Sequence, residues 1–483
     1  MTRRLVLFQK EKPMIFPPTP EQAAILEAVK TTKTNLMVQA RAGTGKTTIL
    51  EMIDSAEKAQ PYLLMCFNKA IATEAEKRMR SATTVKTFNG LGHRIWAAAV
   101  DRKLTLNKKK IQEIFRSIVD DASRGERSYI WSMYDSVLSA TSIARNIGYI
   151  PAGHARASKS LCDFRAVERL LDETLLPEAH ALIDKVLTLS IAQSYSGIID
   201  FTDQVYMPAL FGGSYPSFPV VLVDEYQDLS PVNRAMVARL CKHSRQIGVG
   251  DEAQAIYEFR GADTRAMPDA ITQFNMVTLP LSTSFRCPSA ITNNVHWHVP
   301  DIRSANEGGM VARGNIDSIT DNSTVICRYN APLIALAMDL LTAGHKVDVA
   351  GVDIGARVIR LLGKLGDENL TQAQAFESIH HWEAERESLD SKSVSDTAEC
   401  MRVFVRHGRT LGQAIAYAKH IFESAGGTIR FMSGHRAKGL EFNTCYHLNS
   451  EAIKRGIGQE SNIAYVCDTR SREKLIYITT EHK

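Results

Sequence analysis

The chain has 483 residues, 44% of them hydrophobic and 23% charged, ordinary globular values that exclude a disordered or low-complexity protein. That length predicts roughly three domains at about 150 residues each. A net charge of +5, from 58 Lys and Arg against 53 Asp and Glu, admits a polyanionic partner without requiring one.

The eight cysteines are scattered, with no CxxC pair and no Cys/His spacing suited to zinc, so reduced and mostly buried thiols are expected. No apolar stretch approaches the length that spans a bilayer. The expectation is a soluble, cytoplasmic protein with no membrane partner.

The first predicted element is a helix opening in FPPTPEQAAILEAV, with Thr19 at the N-cap, Pro20 at the first helical position and Gln22 three residues after the cap. Gln22 has two readings, a capping box with Thr19 or a bidentate amide contact to an adenine edge, and the sequence leaves both open.

Residues 35–48 read NLMVQARAGTGKTT. An apolar run of strand character enters a loop of Ala42, Gly43, Thr44 and Gly45, and Lys46, Thr47 and Thr48 then open a helical pattern. This is a phosphate-binding loop. Its glycines let backbone N–H groups turn around phosphate oxygens, Lys46 adds a point charge, Thr47 offers a hydroxyl to Mg²⁺, and the helix N-terminus favours anions. Ala40 stands where the general pattern has its first glycine.

YLLMCF then reads as a second buried strand, followed by Asn68, Lys69 and a helix; TTVKTFNGLGHRI adds another strand and a polar loop. Strands alternating with helices imply a parallel sheet with ligands at the strands' carboxyl ends, where Phe67, Thr87 and Phe88 fall. From residue 107 to 195 helical patterns dominate, which predicts a helical insert; Lys108 to Lys110 read as a solvated helix face. In FPVVLVDEYQDLSP an apolar strand delivers Asp224 and Glu225 to its carboxyl end. Paired acids there suit nucleotide hydrolysis, with Asp224 holding hydrated Mg²⁺ and Glu225 polarising the attacking water.

QIGVGDEAQAIYEFRGAD gives a further strand and turn with Gln254, Tyr257 and Phe259, and Phe285 and Arg286 follow. A second strand and helix series begins near Ser323. The fold class expected is α/β with two parallel-sheet domains, each interrupted by helices: a first domain at 1–106 and 196–290 around an insert at 107–195, and a second at 291–354 and 426–483 around a shorter insert at 355–425.

Taken together, the ordered stretches PEQ, ARAGTGKTT, FNKA, TFNGLG, VDEYQD, GDEAQAIYEFRGA, SFRCPSAI, HRAKGLEF and AYVCDTR resemble those of the UvrD/Rep family of superfamily 1 helicases. The resemblance implies two RecA-like P-loop NTPase domains, ATP with Mg²⁺ between them, and movement along single-stranded DNA, generally 3′ to 5′. Carried over by position, it implies that Gln22 reads adenine, Lys46 the β- and γ-phosphates, Thr47 and Asp224 the Mg²⁺, and Glu225 the water. Gln254 would sense the γ-phosphate, Arg286 and Arg470 would serve as arginine fingers, and Glu441 would hold the ribose or triphosphate side. Phe285 stands where the family commonly stacks a tyrosine on the base.

For DNA the resemblance points to stacking on Phe67, Tyr257, Phe259 and His435, with Lys69 and Thr87 near the backbone. The implied activity is an ATP-dependent DNA translocase and helicase acting on single strands and single-strand/duplex junctions, with any protein partner unidentified. The competing readings are a motor that displaces proteins or serves a larger complex, and an ATP-gated DNA-binding switch.

Overall fold

The computed structural model describes residues 17–56, 60–171, 175–258, 265–350, 352–386, 391–423, 426–453 and 458–480. A first sheet comprises β1 (Leu36–Ala40), β2 (Tyr62–Cys66), β3 (Thr84–Thr87), β4 (Val220–Val223), β5 (Arg245–Gly250) and β6 (Val277–Leu281), in the order β3-β2-β4-β5-β1-β6. All its pairings are parallel. Its inner strands are apolar on both faces because helices cover both. Met37, Leu63, Val221 and Val223 enter one core, while Leu36, Val38, Leu64 and Leu222 enter the other.

Within the segment between β3 and β4, helices Lys110–Asp121, Arg127–Ser132, Tyr134–Ile147, Phe164–Leu171 and Pro177–Tyr195 pack around a core of their own, while Phe88–Val100 and Asp203–Phe211 join a core of the first sheet. Lys110 corrects the expectation of a solvated lysine face. Lys108 and Lys109 are exposed, but Lys110 is buried, its Nζ 2.6 Å from Asp203 Oδ2 and 2.7 Å from Ser194 Oγ. Arg145 reaches Asp203 and Asp200 at 3.2 and 2.7 Å. The face carrying Lys110 also carries Ile111, Ile114 and Ile118, so packing turns it inward and the charge is matched by partners far along the chain.

A second sheet comprises β7 (Met310–Arg313), β8 (Thr324–Cys327), β9 (Val347–Val349), β10 (Ile429–Ser433), β11 (Phe442–Leu448) and β12 (Ser471–Ile478), in the order β7-β12-β11-β8-β10-β9 and again parallel. It starts earlier than the expected position near Ser323. β7 is a half-exposed edge strand without the apolar run that marks its neighbours. Helices Val352–Leu362, Gln372–Ala384, Ser391–His407 and Leu411–Glu423 bury Leu362, Ile379, Phe404 and Ile421 in the core shared with this sheet.

The α/β architecture of two parallel sheets is therefore as expected. The eight cysteines are free thiols, six of them buried. Among the described residues no helix is long and apolar enough to cross a membrane.

Candidate nucleotide site and nucleic-acid track

β1 ends in the phosphate loop, and the helix Lys46–Ala56 starts directly after Gly45. Gly43 and Gly45 adopt φ of 74° and 85°, which turns successive N–H groups toward one side and would strain any other residue. The loop borders a cleft of about 1170 Å³ that Lys46, Thr47, Asp224, Glu225, Gln254 and Arg470 also line. The carboxyl ends of β4 and β5 supply the acids and Gln254, as a parallel sheet dictates.

Lys46 Nζ lies 2.6 Å from Glu225 Oε2. Burial opposes the charge of Glu225, but Lys46 and Lys438 outweigh it and bring its pKa down to about 2. Burial, and then the Glu225 charge, push Asp224 up to about 7. Glu225 itself sits at φ 48°, a left-handed conformation held by its N–H on Asp224 Oδ1 at 2.9 Å. Thr47 and Asp224 suit Mg²⁺, which keeps most of its waters and needs few protein oxygens beside phosphates. Among the described residues no group of three His, Cys, Asp or Glu forms a protein-only metal cage.

The opposite wall carries the arginines. Arg286 Nε donates to Glu441 Oε2 at 2.6 Å, and Glu441 also takes Arg472. Arg470 is buried, donating from Nε to Val466 O at 2.8 Å, with one terminal nitrogen 3.5 Å from Gln254 Oε1. Burial, then repulsion from Arg286, lowers its pKa to about 10. The guanidiniums of Arg286 and Arg470 and the ammonium of Lys46 thus line one pocket with acids on one side, an arrangement suited to a polyanion such as a nucleoside triphosphate.

Gln22 forms the capping box: its Oε1 accepts from Thr19 N–H at 2.9 Å, and the helix Pro20–Thr31 follows. It is not among the residues lining the cleft. Phe285 lines it and is 48% exposed, so its ring is available to a base. Ala42, Thr44 and Thr48 lie in the loop and first helical turn as expected.

A second groove, of about 750 Å³, adjoins the first at Phe67, Asp228 and Tyr257 and continues toward Asn89, Asn146 and Phe201. Phe67 and Tyr257 face each other with centroids 6.4 Å apart and planes 5° from parallel. The His435 ring lies 6.3 Å from Tyr257. Lys69 is exposed, and Thr87 caps the helix Phe88–Val100 by accepting from Gly90 N–H at 3.0 Å. Phe88 belongs to the core. Phe259 lies outside the described residues.

Sequence reasoning missed Lys438, Asp228, Tyr465 and Phe201. Lys438 Nζ donates to both Asp228 carboxylate oxygens, at 2.6 and 2.7 Å, and to Gln254 O at 2.6 Å, while lying 4.8 Å over the Tyr257 ring. One lysine thus joins the acid cluster, the Gln254 turn and the aromatic pair. Asp228 and Lys438 stood within VDEYQD and HRAKGLEF, so the signal available was membership of a motif without a local chemical reason.

The profile of the UvrD/REP helicase N-terminal domain matches residues 21–275, more than half of the chain. The chain belongs to this family. Relatives include the F-box DNA helicase protein 1 of Schizosaccharomyces pombe, 27% identical over 58% of this chain and 32% of that protein. The ATP-dependent DNA helicase PcrA of Bacillus subtilis is 26% identical over 49% of this chain and 33% of its own length. PcrA of Leuconostoc citreum is 25% identical over 57% and 39%. The chain thus spans about a third of the length of these relatives. Within the UvrD/REP family profile fall the phosphate loop, Asp224, Glu225, Gln254, Phe67 and Tyr257; Arg286, Glu441 and Arg470 lie beyond it.

Proposed function

We propose that this UvrD/REP family chain is an ATP-dependent DNA helicase that translocates 3′ to 5′ along single-stranded DNA and works at single-strand/duplex junctions. The observation that carries the reading is the adjacency of two sites around one turn. Gln254 meets Arg470 in the nucleotide cleft, and Tyr257, three residues later, faces Phe67 in the second groove. A change at one end of so short a segment is felt at the other. Polarity rests on the likeness of GDEAQAIYEFRGA to this branch of the superfamily, and DNA as substrate is consistent with the helicase names of the relatives.

In this reading the loop amides and Lys46 hold the triphosphate, Phe285 stacks on the base, Glu441 takes the ribose side, and Gln22 approaches adenine through the amide group its cap leaves over. Thr47 and Asp224 hold Mg²⁺, whose charge offsets that of the phosphates. Glu225, ionised at neutral pH, accepts the proton of the attacking water. Arg286 leaves Glu441 to meet the developing charge together with Arg470. Fingers supplied across a cleft are worth roughly 10³ to 10⁵ in turnover, so hydrolysis follows closure. Bases stack on Phe67, Tyr257 and His435, with Lys69 and Thr87 toward the backbone, and Phe259 is proposed with them from the sequence.

Steady-state ATP hydrolysis with and without single-stranded DNA tests the coupling. Strong stimulation in the wild type that falls at least about a hundredfold in Arg470→Ala is expected. Unwinding of a 3′-tailed duplex and not a 5′-tailed one is expected for the polarity. DNA-independent hydrolysis would overturn the motor reading, and translocation without unwinding would leave a motor for displacing proteins.

A further inference from the structure

The helix Gly458–Asp468 presents a polar stripe at a spacing of three residues to the loops of the first sheet. Gln459 Nε2 donates to Ile256 O at 3.0 Å, and Asn462 Nδ2 donates to Ala255 O and Glu252 O at 2.9 and 3.1 Å. One turn on, the Tyr465 hydroxyl accepts the Ala42 N–H at 3.0 Å and lies 3.4 Å from Asp251 Oδ2 as a donor. Asp251 Oδ2 also accepts from Gln254 Nε2 at 2.7 Å, and its Oδ1 pairs with Arg41 at 3.5 Å. Gln254 in turn meets Arg470, which follows the same helix. The circuit runs from the phosphate loop through Tyr465, Asp251 and Gln254 to Arg470, and the helix closes it.

Tyr465 and Ala42 are both 0% exposed. A buried N–H is costly to leave unmade, and a phenol can accept and donate at once, which phenylalanine cannot. We propose that Tyr465 is a positioning residue whose hydroxyl fixes the phosphate loop at Ala42 against the Gln254 turn, so that one helix sets the loop, the glutamine and Arg470 together. The inference rests on the ATP-hydrolysing reading above. It adds a phosphate-loop determinant located 423 residues from its partner in the chain.

Tyr465→Phe keeps the ring and deletes the hydroxyl. Its KM for ATP is expected to rise roughly tenfold and its DNA-stimulated kcat to fall, while single-strand affinity without nucleotide stays within about twofold. A purely structural role would lower the Tm and the active fraction and leave KM unchanged. A KM within about twofold of wild type overturns the proposal. Peptide-resolved hydrogen exchange on the nucleotide-free wild type serves if the variant does not fold. The Ala42 amide is expected to be protected, and exchange at the rate of a free loop overturns the proposal equally. Wild-type hydrolysis with and without DNA, run in parallel, separates the two failures: lack of stimulation there counts against the motor, whereas a stimulated wild type with an unaltered Tyr465→Phe counts against the hydroxyl alone.

Discussion

At Gly43 a Cβ would lie 2.5 Å from Arg286 Cβ and 2.6 Å from Ser284 Oγ, on a backbone already at φ 74°. Gly43→Ala therefore strains the loop and displaces the segment that presents Arg286. Misplacing a reacting group by about 1 Å costs on the order of a hundredfold, so ATP turnover in Gly43→Ala should fall by at least that much. Single-strand binding, measured by anisotropy without nucleotide, should persist because the Phe67 and Tyr257 groove lies outside this contact. The special conformations of Gly43 and Gly45 were legible in the sequence, because a left-handed backbone is written in residue type. The left-handed Glu225 was not: it accompanies contacts of its N–H with Asp224 and of its carboxylate with Lys46 that no preference of glutamate announces.

Among the elements, the short helix Gly434–Ala437 delivers Lys438 to Asp228 with side chains only 7% and 4% exposed. Removing one partner of a buried pair costs about 3–5 kcal/mol, because the other charge stays buried alone. Lys438→Met should thus lower the urea midpoint markedly, and Lys438→Met with Asp228→Asn should recover more than half of the loss. Additive effects in that double-mutant cycle would remove the pair as a latch between the two sheets. The insert makes the same point, since Lys110 reads as one more surface lysine until Asp203, 93 residues away, is brought to it.

For the whole molecule, the two grooves meet at Tyr257, which Lys438 and His435 from the half carrying the second sheet also contact. Tyr257→Ala should weaken single-strand affinity by about 1–3 kcal/mol with an unchanged salt slope, because a stack is lost and no phosphate contact is. Titrations at several salt concentrations check it, and a flatter slope would mean that the residue acts on the backbone instead. Continuous apolar runs announced the inner strands of both sheets, and glycines followed by Lys-Thr announced the loop, because strand burial and anion cradling depend on neighbours a few residues apart. β7 escaped because a half-exposed edge strand carries no such run. The partners of Lys438, Tyr465 and Arg470 were decided by the tertiary structure, since a hydrogen bond spanning hundreds of residues depends on which loops two sheets bring face to face, and no local pattern encodes that.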